Sequence, residues 1–585
     1  SNRPQYGGRH VVAETELNEN FFRRNLFGGR SFAEITFLKD FKFTNTIGLD
    51  ITNANSVVFG NPEIGDGAPA GRASNLFENI TNYNLSQLLN YSHSFGKHNV
   101  DALVGHENYN LVSNSLDGSR SQQILDGNYE LINFTTTTNL TSQYDLRRVE
   151  GFFSRVNYDY DSKYFVSFSA RRDGSSKFYQ DKRWGTFYSA SAAWRLDQED
   201  FMKELTFIDN MKLRGSYGQT GNDGGISNYA WQPLYALGWN NVTEPGILQS
   251  SLGSRTLEWE TNTSFDVALE FGLFKNRING TIEYFDRQST NLIFAVPLPL
   301  SVGIQTETRN IGSMYNKGFE IQLSGDVIRT KDFVWNIDVN ATKLENKITK
   351  MPAQSKEIID GTKKLKEGTS LYDYWLREYK GVNPDNGVAE YRAISFVASN
   401  SRITATGDTL TNNIANARFW YNGTSIPDLT GSVTNSIRYK GFTLSALMVY
   451  QLGGKIYDAA YAGLMGAGYH NAKHVDILNR WVNPGDKTNV PRMDNGRTAD
   501  FDAASDRWLI DGSYMNVRSV TLSYNLPKTL ARKLKMDNAQ VYLSGENFIM
   551  LSKRSGMNVQ QNFGGTTSNV YSPAKSLVIG LSFSL

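Results

Sequence analysis

Apolar and polar side chains alternate with period two along most of this chain. In residues 262–272, Phe265, Val267, Leu269 and Phe271 fall on one face of an extended segment, and Ser264, Asp266, Ala268 and Glu270 fall on the other. Trp335, Ile337, Val339 and Ala341 alternate in the same way with Asn336, Asp338, Asn340 and Thr342. Phe319, Ile321 and Leu323 alternate with Glu320, Gln322 and Ser324. Runs of this kind predict seventeen strands, near 31–39, 41–52, 82–95, 98–111, 149–160, 163–174, 185–196, 210–220, 258–272, 275–295, 314–325, 332–348, 428–438, 441–453, 510–526, 538–551 and 575–585. Strands of soluble folds centre on about 5–6 residues, whereas about 9–11 tilted residues cross a bilayer. Many of these runs reach the longer figure, so their length favours a membrane wall.

The connections sort into two kinds. Lys39-Asp40, Phe95-Gly96-Lys97, Asp161-Ser162, Phe274-Lys275 and Tyr439-Lys440-Gly441 are tight reversals, and 197–210 and 527–538 read as short helical turns on the same rim. Long loops are expected near 53–81, 112–148, 222–257, 351–427 and 455–509. An antiparallel meander with turns at one rim and long loops at the other is the design of an outer-membrane β-barrel; a soluble sandwich has no reason to sort its loops. In lipid, the charged face must point inward, because a charge at the midplane costs up to about 2–4 kcal/mol. Asp266, Glu270, Glu320, Gln322, Asp338 and Asn340 are therefore expected to face the lumen, keeping it wet or bonding a plug.

Composition agrees with this all-β reading. Phe (33) and Tyr (30) together outnumber the 60 Lys and Arg, and Gly reaches 51, a mixture suited to strands and turns. The net charge is only +2, so no field of one sign points to nucleic acid. No run of 18 apolar residues offers a transmembrane helix. With no cysteine, disulfide frameworks, thiolate metal sites and cysteine nucleophiles are all excluded.

Candidate chemistry is sparse. No G-x-S-x-G, Walker or dinucleotide fingerprint is present, and the chain is not expected to be an enzyme or to hold a cofactor. Of six histidines, only His470 and His474 have helical i, i+4 spacing; no His-Glu-x-x-His pattern accompanies them, and no metal site is expected. Asn383-Pro384-Asp385-Asn386-Gly387 reads as a turn. Phe165, Tyr188, Tyr284, Phe442 and Tyr450 on strands suit lipid-facing or girdle positions. Trp231, Trp239, Trp375, Trp420, Tyr421 and Trp481 lie in long loops among polar residues, where an aromatic ring could stack on a sugar, hold a peptide or pack against another loop.

Five ordered stretches carry a family resemblance. They are Arg172-Asp173-Gly174-Ser175-Ser176-Lys177-Phe178 with the following Trp184-Gly185 and Ser189 to Trp194; Leu213-Arg214-Gly215-Ser216-Tyr217-Gly218-Gln219-Thr220-Gly221-Asn222; Asn310 to Glu320; Asp511-Gly512-Ser513-Tyr514 with Leu522 to Pro527; and Ser544-Gly545-Glu546-Asn547-Phe548. Together they resemble the SusC/RagA family of TonB-dependent transporters of Bacteroidetes-type outer membranes. The resemblance implies a barrel of about 22 strands closed by a plug, so this chain would supply the C-terminal part of one barrel domain. The plug and the first five or six strands would lie on a preceding segment or another chain. It further implies outer-membrane import of oligosaccharides or peptides, with a SusD-like surface lipoprotein as lid, TonB acting through the plug, and membrane lipid and lipopolysaccharide around the wall. Two alternatives stand beside it: a passive porin, and a soluble secreted all-β binding protein.

Overall fold

The computed structural model describes residues 10–353, 355–466, 472–493, 501–554, 557–560, 563–567 and 573–584. Among these, one sheet contains seventeen strands: Glu19–Phe37, Phe41–Gly60, Arg72–Phe95, His98–Gln123, Phe134–Tyr160, Tyr164–Ser175, Trp184–Arg195, Ile208–Asn222, Glu260–Leu273, Ile278–Pro297, Thr306–Arg329, Phe333–Lys350, Leu429–Tyr439, Phe442–Leu452, Tyr514–Asn525, Asn538–Ser552 and Ser576–Ser584. Each corresponds to one segment anticipated from period two. No described helix is long and apolar enough to cross a membrane.

Several strands run well past their anticipated ends. Residues 53–60 and 72–81, expected in a loop, pair with one another from Gly60↔Arg72 to Asn53↔Asn79, and the connection shrinks to 61–71. Likewise most of 112–148 is strand, with Asn114 opposite Tyr144 and only 124–133 between the two ladders. Alternation vanishes there because Asn, Ser and Thr occupy both faces, while the backbone ladder continues without needing an apolar side.

The chain forms two compact units. The first comprises Ser1–Ala192, Gly218–Asn262 and Asn291–Asn310; the second comprises Ala193–Tyr217, Thr263–Thr290 and Ile311–Leu585. In the first, six strands from Glu19 to Ser175 form a continuous antiparallel meander. Its reversals use left-handed residues such as Asp161 and Ser162, with φ of 56° and 51°. In the second, an antiparallel ladder brings Ile328, Trp335, Ile437, Leu444, Leu522, Leu543 and Ile579 into one cross-strand row. The turn rim carries the two helical connections, 3₁₀ turns at Leu196–Gln198 and Asp200–Met202 and an α-helix at Lys528–Lys533.

Exposure discriminates between a sandwich and a membrane wall. Leu522 is 44% exposed and Ile579 77%, and Phe265, Phe319 and Leu323 on neighbouring apolar faces are exposed as well. A soluble sandwich would bury that face, so the soluble alternative fails. Buried clusters lie at the long-loop end instead: Phe59, Ala73 and Phe134; Phe178, Phe187, Leu257 and Trp259; and a larger group around Tyr374, Met465 and Trp508. Near the turn rim, aromatic rings sit side by side across strands. Phe37 and Phe41 are 5.5 Å apart, Phe41 and Tyr91 4.9 Å, and Phe442 and Tyr524 4.4 Å, the girdle expected at an interface.

Candidate functional site: the polar wall and the loop cluster

The polar face of the second unit gathers most of the residues singled out from the sequence. Gln322 stands opposite Asn340, and Ser324 opposite Asp338, in the ladder between Thr306–Arg329 and Phe333–Lys350. Glu270, Gln322, Asp338 and Asn340 line one open concavity of about 530 Å³. Asn340 donates to Ser432 Oγ at 2.6 Å and accepts from its backbone N–H at 3.0 Å, so this amide braces the neighbouring strand. Asp266 accepts from Ser216 Oγ at 3.4 Å. Glu320 lies two residues along the same face, opposite Thr342.

Glu270 has a partner that sequence reading missed. Arg214 Nε donates to Glu270 Oε1 and Arg214 Nη2 to Glu283 Oε2, both at 2.6 Å, with Lys212 3.6 Å from Glu270. A guanidinium between two carboxylates on a half-wet wall is a charge-assisted brace. It gives a physical role to the arginine of the Leu213-Arg214-Gly215 stretch, and it commits Glu270 to the wall.

In the first unit a second brace ties a loop to strand ends. Arg147 Nη2 donates to Asp223 Oδ1 at 2.9 Å and Oδ2 at 3.1 Å, Ser175 Oγ donates to Asp223 Oδ2 at 2.7 Å, and Lys177 Nζ donates to the Asp223 carbonyl at 3.0 Å. Ser175, Lys177 and Asp223 are buried. Burial lowers the Lys177 ammonium below its ordinary value, opposed by the charge of Asp223. Asn228 donates to Asp145 at 2.7 Å, and the backbone N–H of Leu146 donates to the Tyr229 hydroxyl at 3.0 Å. The Arg172–Phe178 and Thr220–Asn222 stretches thus meet at one buried knot. Trp231 packs on Tyr179 with ring centroids 5.6 Å apart, whereas Trp239 is 63% exposed beside the hairpin Leu234–Leu237/Ile247–Ser251.

The long connections of the second unit fold into two four-stranded sheets. The first contains Glu357–Asp360, Lys363–Lys366, Asp373–Arg377 and Phe419–Thr424. On it Trp375 lies opposite Tyr421, with ring centroids 4.8 Å apart, and stacks near Phe419 at 6.1 Å. Lys364 Nζ sits 4.2 Å from the Trp375 ring, and the Arg377 guanidinium sits 4.5 Å from Phe419, giving a ladder of cations on aromatic faces. Trp420 is exposed and carries Arg418 4.6 Å from its ring. Trp481 is placed differently. Its Nε1 donates to the Pro384 carbonyl at 2.9 Å, and its ring covers Gly387 so closely that no Cβ would fit. Gly387 has φ of +74°, and its N–H donates to the Asn383 carbonyl at 2.8 Å, closing the anticipated turn.

Beneath this sheet Tyr374, Leu376, Tyr457, Met465, Phe501 and Trp508 form a core that joins the loops after Lys350 and after Leu452. Lys363 is drawn into it, its Nζ donating to the Tyr372 carbonyl at 2.7 Å and lying 3.3 Å from the Tyr374 ring centroid. Burial pushes this ammonium down to about 7, with Asp373 opposing. Burial likewise raises the Tyr374 phenol to about 12 while its hydroxyl donates to the Gly565 carbonyl at 2.6 Å. Lys553 and Ser513 hydrogen-bond Asp511 and hold its carboxyl down to about 2. Among the described residues, no group of three His, Asp or Glu is placed to hold a metal. His474 accepts from the Asp476 backbone N–H at 3.2 Å; His470 lies outside the described residues.

An exposed apolar face, a polar face braced by ion pairs and aromatic rims define the wall of an outer-membrane β-barrel. Residues 3–548 match the model of the TonB dependent receptor-like β-barrel, and the chain belongs to that family. It is 30% identical over 573 residues to TonB-dependent receptor P3 of Formosa agariphila, covering 95% of this chain and 56% of the relative. It is 26% identical over 531 residues to TonB-dependent receptor SusC of Bacteroides thetaiotaomicron, covering 86% of this chain and 50% of SusC. Its fold matches the structure of the RagAB peptide transporter with a TM-score of 0.88 at 24% identity, over 97% of this chain and 63% of that one. The chain therefore spans about half the length of the curated relatives it matches, and its place is the outer membrane.

Proposed function

We propose that this chain forms the larger part of the barrel wall and the loops of a TonB-dependent importer of oligosaccharides or peptides. The observation that carries this reading is the braced polar face, Arg214 with Glu270 and Glu283 beside the Gln322–Asn340 concavity, on strands whose opposite face is apolar and exposed. Such a wall would conduct solutes, and in this reading the chain acts as a conduit. The names of the relatives, TonB-dependent receptors, support TonB-driven action, and the family resemblance of the five sequence stretches supports a nutrient cargo and a lipoprotein lid. In this reading the long loops face outside, TonB pulls on a plug beyond these residues, and the lid closes over the loops. In the second unit the ladder of Trp375, Tyr421 and Phe419, with exposed Trp420, contacts cargo, and in the first unit exposed Trp239 is a separate candidate contact; Trp231 and Trp481 hold loops in shape.

Single cysteines in the loops 351–428 and 453–513 test the topology in intact cells. They are expected to react with a membrane-impermeant maleimide, and protection of all of them would reverse the orientation. Cargo uptake is expected to cease when TonB is removed; uptake that survives would make the barrel a passive porin.

A further inference from the structure

In the second unit, the strand Asn538–Ser552 outruns one of its two neighbours. Its pairing with Ser576–Ser584 ends at Glu546↔Ser576, whereas its pairing with Tyr514–Asn525 continues to Tyr514↔Ser552. The shorter ladder ends at a bulge, where Asn547 has a left-handed φ of 55° and the register shifts opposite Val517 and Ser519. Among the described residues, no strand pairs with 547–552 on the side away from Tyr514–Asn525. A strand edge without a partner directs the N–H and C=O of every second residue outward, where they need hydrogen bonds from another source.

A cavity of about 590 Å³ lies along this edge and is lined by every residue from Asn547 to Ser552, with Met557, Asn558 and Pro573 on its other wall. Two cations, Arg554 and Lys575, line it, and no carboxylate does. Arg554 is held by Asp458 at 3.2 Å and lies 3.8 Å from the Tyr461 ring. Lys575 has no ion-pair partner among the described residues. Its position is set by Asn547, whose Nδ2 donates to the Ala574 carbonyl at 3.2 Å. Asn516 also lines the cavity and is 1% exposed; its Nδ2 donates to Gln560 Oε1 at 3.2 Å, while its Oδ1 is a buried acceptor with no donor in the protein. The cross-strand row Gln322–Asn340–Ser432–Val449–Asn516–Met550 puts this cavity in line with the concavity at Asn340.

We propose that the cavity binds a short peptide in extended conformation, which adds as a strand to the edge 547–552 and sets its terminal carboxylate against Lys575. Strand addition reads the main chain of the ligand and so accepts many sequences, while its alternate side chains meet the apolar surface of Phe548, Met550 and Met557. A buried acceptor without a donor is costly, and a ligand N–H supplies the donor that Asn516 Oδ1 lacks. The six edge residues span about 20 Å, room for a peptide of about four to six residues. A saccharide is matched less well, because no carboxylate accepts its hydroxyls and Phe548 is the one aromatic ring in the lining. The site stands by itself; that its peptide is cargo rests on the importer reading above and narrows that cargo to peptides.

The test titrates the complete transporter calorimetrically with acetyl-Ala-Leu-Ala-Leu bearing a free carboxylate, with its carboxyl amide, and with a form N-methylated at alternate residues. The amide and the N-methylated form are each expected to bind about tenfold more weakly than the free acid. Lys575→Gln is expected to weaken the free acid about tenfold and leave the amide unchanged, a split that a merely structural effect would not produce, whereas Lys533→Gln at the turn rim alters neither. Heat-modifiable migration checks that each variant is folded. In the unsubstituted protein, the free acid is expected to slow amide exchange in 547–552. Absence of peptide binding, exchange there unaffected by peptide, or equal losses for acid and amide in Lys575→Gln overturns the proposal. So does equal protection of 547–552 by maltohexaose, which would assign the edge to saccharides. Peptide binding with this protection, together with uptake that survives loss of TonB, supports the site and overturns only the importer reading.

Discussion

Arg147 and Asp223, 76 residues apart, are joined through a single guanidinium nitrogen that donates to both carboxylate oxygens at 2.9 and 3.1 Å. Ser175 and Lys177 converge on the same aspartate, and the loop that follows it is thereby fixed to the strand ends. Removing one partner of such a buried pair leaves the others desolvated and unpaired, which costs about 3–5 kcal/mol where no water can enter. Asp223→Ala is expected to increase amide exchange in residues 223–259 by at least tenfold while the strands of the wall keep their protection. Unchanged exchange in that loop would show that the knot does not hold it.

The aromatic ladder makes a claim about cargo. If Trp375 contacts the solute, Trp375→Ala is expected to weaken cargo binding by the intact transporter roughly tenfold, as for a typical aromatic hot spot. Trp231→Ala serves as the comparison, because that ring is already engaged with Tyr179 and its loss should change loop stability more than affinity. Calorimetric titration of both variants decides the matter, and equal affinities would leave the ladder a loop-packing device.

Lys363 gives the loop core a pH dependence whose sign can be worked out. Its ammonium is pushed down to about 7 by burial, against an ordinary value of 10.5. Between those two values the unfolded loop holds a proton that the folded loop has released, so stability rises with pH across that window and is flat at its lower level below it. Denaturant midpoints at pH 6.5 and 9.5 are therefore expected to increase in that order. Lys363→Met should abolish the Lys363 part of the difference, and a variant with the same pH dependence as the parent would rule this lysine out as its source.

The sequence could be read wherever one strand face is apolar and the other wet. Phe265 to Phe271 and Phe319 to Leu323 declared their strands because lipid and water impose opposite demands on adjacent residues. That signal disappears further from the turns, where Asn53, Asn79 and Asn114 extend the same ladders with polar side chains on both faces. The loop sheets were unreadable for a related reason: strands of three to six residues, such as Lys363–Lys366 and Asp373–Arg377, are too short to establish a period. The residues of the polar face were readable as a class but not in their partners. Only the fold brings Arg214 to Glu270, 56 positions away, so alternation marked Glu270 as a polar-face residue while leaving its ion pair unknown. A signal was nevertheless present, since an arginine on the polar face of a strand, followed there by the small Ser216 and Gly218, needs a carboxylate facing it.

Asp266 and Val267 are neighbours on one strand with opposite duties, and the membrane reading can be tested on that pair. Val267 is 37% exposed on the apolar face, while Asp266 lies on the polar face near Ser216. Val267→Arg places a charge in hydrocarbon and is expected to destabilise the barrel by about 2–4 kcal/mol near the midplane. Asp266→Asn keeps the shape and its hydrogen-bonding capacity on a hydrated face, and surface changes of that kind usually stay within about 0.5 kcal/mol. Urea titration in lipid vesicles, followed by heat-modifiable migration, measures both. The contrast depends on the solvent on each side, because in water an arginine at an already exposed valine would cost little. If the two substitutions have equal effects in vesicles, the apolar face does not contact lipid and the barrel assignment of this strand is wrong.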